Sequence, residues 1–171
     1  MSTEIRESAV AWCGNGVNGI RAQRASEGPG VIVHRLDVET TKRVEIRDLT
    51  ELVAEIVRSA RVDAGLVTLS SMHTTTAIFV NEPQSALLDD IELLLERIAP
   101  RGDDWKHNDP RYSDCDRQNA DAHLRAIVLG SSVTLQIAEG ALTMGQWQRI
   151  LMAELDGPRT RQLVLQILAA R

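Results

Sequence analysis

The stretch SVTLQIAEGALTMGQWQRILMAELDGPRTRQLVLQILA, residues 132–169, decides the fold class. It contains three apolar segments, separated by the turn signals Glu139-Gly140 and Asp156-Gly157-Pro158. Each segment is rich in aliphatic residues and has the length of a strand. Consecutive strands with no helix between them favour antiparallel pairing over alternating βαβ units. The C-terminal part of the chain is therefore predicted to form an antiparallel sheet.

Upstream of this stretch, the sequence predicts four further strands and three helices. The strand segments are VIVHRLDV (31–38), TKRVEIRD (41–48), GLVTLSS (65–71) and TTAIFVN (75–81). The helical segments repeat apolar residues at the spacing of an amphipathic helix, and are LTELVAEIVRSA (49–60), SALLDDIELLLERIAP (85–100) and NADAHLRAIVLG (119–130). With about seven strands and three helices, the predicted fold class is α+β with mostly antiparallel sheets.

The two ends of the sequence differ in character. Residues 1–30 contain the turn-rich runs GNGVNG and SEGPG and lack sustained periodicity, so we predict a flexible N-terminal extension with a short helix at residues 4–12. Residues 31–171 are predicted to form one domain. Within it, residues 101–118 have no regular pattern, and a loop of this length is usually functional or disordered.

Composition and charge exclude several classes of protein. The chain has 171 residues and a net charge of −5, whereas general nucleic-acid binding requires a basic surface. No apolar run approaches the length that spans a bilayer, so no membrane association is expected. The first residues are charged and lack the apolar core of a secretory signal, which makes the cytoplasm the expected location.

The stretch SSMHTTTAIFVNE, residues 70–82, contains the first of three candidate site histidines. His73 is expected on a strand, and His107 and His123 lie on other segments. Taken singly, each is more often a solvated or hydrogen-bonded residue than a ligand. Three imidazoles from separate elements can, however, form an open metal site with a position left for water or substrate. Sequence spacing leaves both interpretations open.

Other polar residues allow a functional and a structural interpretation as well. Glu82 follows Asn81 at a strand end, where it either serves as a general base or simply leads into the next helix. Gln148 and Glu154 interrupt apolar strand patterns, so they either face solvent or line a wet pocket. Arg125 is suited to bind a phosphate, but it is equally consistent with a surface position.

Six segments, in this order, resemble the YjbQ family, whose members are often labelled secondary thiamine-phosphate synthases. They are GLVTLSSMHTTTAIFVNE, LLDDIELLLERIAP, WKHND, NADAHLRAIVLGSSVTL, GQWQRILMAELDGPR and VLQIL, and together they span most of residues 31–171. The resemblance implies a β-sandwich-like α+β domain, a homotrimer, and a pocket between subunits.

The resemblance also assigns residues to roles. It implies that His73, His107 and His123 hold either a divalent metal, with zinc or magnesium as the cofactor, or the anion itself. The catalytic residues it implies are Glu82, His107 and Glu154. A phosphorylated small molecule would contact the remaining residues, which are Asn81, Arg125, Trp147 and Gln148.

Three functions are compatible with this resemblance. The first joins hydroxymethylpyrimidine pyrophosphate to thiazole phosphate, as a thiamine-phosphate synthase does. The second is a metal-dependent hydrolase, in which three histidines activate water. The third is a non-catalytic trimer that holds a metabolite or a metal.

Overall fold

The computed structural model describes residues 19–170, which form two antiparallel sheets and three α-helices. The strands are β1 (Ile20–Gly28), β2 (Val31–Glu39), β3 (Glu45–Asp48), β4 (Gly65–Ser71), β5 (Thr76–Asn81), β6 (Ser132–Ala138), β7 (Ala141–Thr143), β8 (Arg149–Glu154) and β9 (Thr160–Ala169). The helices are α1 (Thr50–Ala60), α2 (Ser85–Ile98) and α3 (Ala120–Leu129), and Lys106–Asn108 form one 3-10 turn. The predicted α+β class with mostly antiparallel sheets is confirmed.

The larger sheet has six strands in the order β1-β2-β9-β4-β6-β7, and the smaller sheet has three in the order β3-β8-β5. In the smaller sheet, β8 is central, and its side chains alternate between two apolar cores. Ile150 and Met152 face the six-stranded sheet and α1, while Leu151 and Ala153 face α2 and α3. Because β8 is buried on both faces, apolar residues follow one another in its sequence instead of alternating with polar ones.

Two strands were not predicted from the sequence. The prediction of a flexible extension is wrong for residues 20–28, which form β1 and pair with β2 through a turn at residues 29–30. β1 is a polar edge strand, so its sequence carries little apolar signal. β7 is short and follows a tight turn in which Glu139 and Gly140 have φ values of 53° and 74°. Residues 1–18, including the helix predicted at 4–12, lie outside the described residues.

Register places the two ends of β5 far apart. Thr76 pairs with Glu154 at one end, and Asn81 pairs with Arg149 at the other. Five residue steps of an extended strand span about 17 Å. Side chains that follow Asn81 therefore lie at the opposite edge of the small sheet from those that precede Thr76.

Within the described residues, no helix is long and apolar enough to cross a membrane.

Candidate functional site

His73 lies in the short loop between β4 and β5, not on a strand as predicted. Its backbone N–H donates to Ser71 Oγ at 3.1 Å, which fixes the loop. Its ring Nε2 accepts a hydrogen bond from the backbone N–H of Gln162 at 2.8 Å. A neutral imidazole that accepts at Nε2 carries its proton on Nδ1. His73 therefore presents an N–H donor through Nδ1.

Electrostatics keep His73 in that neutral form. Partial burial lowers the pKa of the imidazole, and the nearby Arg161 guanidinium lowers the pKa further, while Glu154 opposes the shift. Since the ordinary imidazole pKa is about 6.5, the ring is neutral at pH 7. The hydrogen-bond pattern and the charge environment of His73 thus agree.

His107 and His123 form a pair. Their ring centroids are 5.1 Å apart, and the planes meet at 83°, an edge-to-face contact. His123 lies on α3, and His107 lies in the 3-10 turn, which is tied to the start of α3 by a 3.0 Å hydrogen bond from the Ala120 N–H to Asn108 Oδ1. Burial, followed by the charge of His107, lowers the pKa of His123.

Two neighbouring depressions contain the three histidines. The larger, about 640 Å³, is lined by His73, Thr74 and Thr76 on one side and by His123, Ile127 and Ser131 on the other. The smaller, about 290 Å³, is lined by Trp105, Lys106, His107 and His123. His123 contributes to both, so the structure brings the three predicted histidines to one region of the surface.

The Thr76 hydroxyl adds an unused polar atom to the larger depression. Thr76 is fully buried, and its Oγ1 has no hydrogen-bond partner among the described residues. A buried polar group without a partner is unusual in a folded protein and often marks a place for water or a ligand. Sequence reasoning missed Thr76 and Ser131, because hydroxyl residues beside a strand are common.

Glu154 does not line either depression. It is fully buried, and its carboxylate binds the Nε and Nη2 of Arg161 at 2.5 Å each. The same carboxylate accepts hydrogen bonds from Thr40 Oγ1 at 3.1 Å and from the Asp156 N–H at 2.8 Å. With its oxygens occupied and no exposed surface, Glu154 is placed for a positioning role and not for contact with substrate.

Arg161 was not predicted from the sequence, although it explains why a glutamate can interrupt an apolar strand. It is 2% exposed and also donates from Nη2 to Thr75 Oγ1 at 3.0 Å. Thr75 directly precedes the depression residue Thr76. A buried carboxylate requires a charged partner, so a search for arginines in neighbouring apolar strands could have found it.

Arg125 is also buried, at 4% exposure. Its Nε donates to the Ala99 carbonyl at 3.0 Å, and its Nη2 pairs with Glu96. It lies 3.7 Å from Asp121, which in turn binds Arg43 through two hydrogen bonds of 3.1 Å. Through these contacts, Arg125 holds the end of α2 against α3. It lines neither of the two depressions.

The remaining predicted residues cluster elsewhere. Glu82 and Trp147 line a third depression of about 190 Å³ together with Arg149, at the far end of β5. Trp147 is 65% exposed there. The Gln148 amide oxygen accepts the Gly145 N–H at 2.7 Å, and Asn81 Oδ1 accepts the Glu82 N–H at 2.9 Å. About 17 Å of strand separates this group from His73.

The predicted metal site stays a prediction. Within residues 19–170, no group of three or more His, Cys, Asp or Glu side chains is arranged to hold a metal ion. His73 fits poorly as a ligand, because the lone pair on its Nε2 is already used by the Gln162 N–H. His107 and His123 fit better, since the two imidazoles are adjacent.

Comparison with known proteins places the fold and these residues in a family. The sequence pattern of the family described as "UPF0047 protein YjbQ-like" matches residues 34–170. The chain belongs to this family. The matched range includes every predicted site residue and excludes β1, so β1 lies outside the part of the chain that carries the family pattern.

Two archaeal members of the YjbQ-like family illustrate the similarity. A UPF0047 protein of Archaeoglobus fulgidus is 44% identical over 133 residues, which cover 78% of this chain and 98% of the relative. One of Methanothermobacter thermautotrophicus is 41% identical over 133 residues, covering 78% of this chain and 89% of the relative.

Solved structures agree with the sequence comparison. A YbjQ-like protein of unknown function from Sulfolobus solfataricus aligns with a TM-score of 0.76 at 33% identity, covering 82% of this chain and 98% of that one. A YjbQ/UPF0047 protein from Clostridium acetobutylicum aligns with a TM-score of 0.71 at 30% identity, covering 78% of this chain and 98% of that one. The fold of the YjbQ-like family is thus shown for this chain.

Proposed function

We propose that the larger depression binds a small phosphorylated molecule, and that His73 donates a hydrogen bond to its phosphate. One observation supports this above the others: Nε2 of His73 accepts the Gln162 N–H, so the neutral ring offers Nδ1–H. Phosphate oxygens accept hydrogen bonds, and a neutral imidazole avoids the cost of burying a further charge. The exposed residues Thr74 and Ser131, which also line the depression, supply additional hydroxyl donors.

The finer proposal is the thiamine-phosphate synthase reaction, which rests on the resemblance to the YjbQ family. The thiazole nitrogen forms a C–N bond with the methylene carbon of hydroxymethylpyrimidine pyrophosphate. The C–O bond to pyrophosphate breaks, and the pyrophosphate leaves with the electron pair. Hydrogen-bond donors aimed at the departing oxygens stabilise the charge that develops there. His73 and Lys106, which lines the smaller depression, are the candidates for this role.

The third depression contributes through a second copy of the chain. Asn81, Glu82, Trp147 and Gln148 lie about 17 Å of strand away from His73, so one chain cannot place both groups around one small molecule. In the proposed homotrimer, the exposed Trp147 of one copy covers the histidine depression of the next. Glu82 then supplies the carboxylate that orients the second substrate.

The His107–His123 contact favours a second candidate, a metal-dependent hydrolase. Imidazole pairs suit zinc, whereas magnesium prefers oxygen ligands. The two rings would hold zinc together with ligands from a neighbouring copy, and a bound zinc ion would supply water activation. A non-catalytic trimer that binds the same phosphorylated ligand without turnover is the third candidate.

The test is formation of thiamine phosphate by the full chain, purified from a host that lacks its own synthase and measured by mass spectrometry. The synthase proposal predicts product with the wild type and loss of product in His73→Gln and His107→Ala. Glu92→Gln, on the exposed face of α2, is the matched control and should retain activity. No product above background from folded protein would overturn the synthase proposal.

Two further measurements separate the candidates. Calorimetric titration with pyrophosphate should show binding by the wild type that His73→Gln weakens, and pyrophosphate binding without turnover would favour the non-catalytic trimer. Hydrolysis of generic phosphate esters that a chelator abolishes and zinc restores would favour the hydrolase instead. Sedimentation of the wild type tests the trimer directly. If Trp147 covers a neighbouring site, Trp147→Ala should stay folded and lose product.

A further inference from the structure

A separate cavity lies between the β1–β2 hairpin and α1, away from the three histidines already described. Its volume is about 130 Å³. The apolar part of its lining comes from Ala22, Ile32, Leu52, Ile56 and Ala60. An apolar protein cavity of about 150 Å³ binds a molecule the size of benzene. The cavity is therefore large enough for the tail of a small organic ligand.

Polar groups occupy two sides of the cavity. Arg24 and His34 are cross-strand partners in the β1–β2 pairing, and both line the cavity. Glu55 lines it from α1. Neither the His34 imidazole nor the Glu55 carboxylate makes a hydrogen bond to another described residue. Two polar groups without partners at the edge of an apolar cavity are typical of a ligand pocket, where a few polar groups set the orientation.

The charges on the strand side suit an anion. Arg24 carries a permanent positive charge and a planar set of N–H donors that matches a carboxylate. Burial lowers the pKa of His34, and the Arg24 charge lowers the pKa further, so the ring is neutral at pH 7. The two residues are directly opposite each other in the β1–β2 pairing, which places their side chains close in space. A carboxylate at this position would receive donors from both side chains.

We propose that this cavity is a second binding site, which takes a small carboxylic acid with a compact apolar tail. The carboxylate lies between Arg24 and His34, and the tail fills the space against Ile32, Leu52 and Ile56. Glu55 faces the ligand from the helix, where it would pair with an ammonium group if the acid is an amino acid. The residues contributed by β1 lie outside the matched range 34–170, so the site depends on a strand beyond the family pattern.

The test titrates isovalerate into the full-length protein and measures the Kd by calorimetry. 3-Methylbutan-1-ol has a similar tail and no carboxylate, so it should bind at least about tenfold more weakly, since charge-assisted hydrogen bonds are the stronger class. Arg24→Gln should weaken isovalerate binding to a similar extent. Arg35→Gln changes the neighbour of His34 on the exposed side of β2 and should leave the Kd unchanged.

A second variant guards against effects on folding. Ala22→Phe fills the cavity from the edge strand without removing a polar group, and it should abolish binding while the circular dichroism spectrum stays native. Leucine distinguishes the two sources of the acid. Tighter binding of leucine than of isovalerate, with the advantage lost in Glu55→Gln, assigns an amino acid. Tighter binding of isovalerate assigns a simple acid.

Three results would overturn the proposal. The first is no saturable binding of isovalerate or leucine at millimolar concentration. The second is equal affinity for the alcohol and the acid. The third is an unchanged Kd in Arg24→Gln.

Discussion

Replacing Glu154 with alanine tests whether this residue positions the fold or takes part in chemistry. The substitution removes four accepted hydrogen bonds, two of them from Arg161. It leaves the Arg161 guanidinium, whose side chain is 3% exposed, without its counter-charge. Removing one partner of a buried ion pair costs about 3–5 kcal/mol, because the remaining charge stays desolvated.

That cost is a large part of the stability of a domain of this size, which is about 5–15 kcal/mol. Since each kcal/mol shifts the melting temperature of such a domain by about 2–4 °C, Glu154→Ala should lower it by about 6–20 °C. Thermal unfolding is followed by far-ultraviolet circular dichroism at fixed protein concentration, because assembly would otherwise change the apparent stability.

Two further variants complete the experiment. Glu92→Ala removes an exposed glutamate and should change the free energy of unfolding by less than about 0.5 kcal/mol. The double variant Glu154→Leu/Arg161→Met replaces the pair by apolar side chains and should recover at least about 2 kcal/mol of the loss. The positioning role would be refuted if Glu154→Ala melted within about 2 °C of the wild type but no longer formed thiamine phosphate. Glu154 would then again be a catalytic candidate.

Three other predictions concern packing and pH. Gly65→Ala should unfold at a markedly lower denaturant concentration, because an added Cβ would lie 2.1 Å from the Leu168 carbonyl oxygen. Gly28→Ala should leave the unfolding midpoint unchanged, because nothing lies within 4 Å of its added Cβ. Leu151→Ala should cost about 2–5 kcal/mol in chemical denaturation, since it opens a cavity between β8 and the helices, whereas exposed Leu93→Ala should cost far less. The pKa of His34 is lower in the folded state, so its imidazole takes up a proton more readily in the unfolded chain. The free energy of unfolding should therefore fall as pH drops below about 6.5. His34→Gln should reduce this dependence of the free energy of unfolding on pH, and an unchanged dependence would contradict the prediction.

Most of the fold was accessible from the sequence because local patterns agreed with the tertiary structure. The α2 segment has apolar residues at helical spacing, and its helix runs over Ser85–Ile98 as expected. β1 was missed for a physical reason. Its segment IRAQRASEG is mostly polar because it forms an edge of the sheet, so only the turn at Gly28-Pro29-Gly30 before a clear strand indicated a hairpin.

The candidate site was accessible only in part. Sequence identified His73, His107 and His123, but their proximity depends on how α3 packs on β5, which no local pattern encodes. The same limitation applies to Glu154. Its position in an apolar strand indicated either a solvent-facing side chain or a wet pocket. The structure shows neither, because Arg161 in β9, seven residues later and across a turn, pairs with the buried carboxylate.

The position of β9 has a consequence for synthesis on the ribosome. β9 lies between β2 and β4, so without it the larger sheet separates into β1–β2 and β4–β6–β7. Among the strands of this domain, the one that is synthesised last is therefore the one that joins strands made much earlier. Nascent chains stalled before residue 160 would expose two unpaired strand edges, which are sites of aggregation. The larger sheet is thus expected to form only after residues 160–169 have been synthesised, and a premature stop codon in β9 should yield insoluble protein.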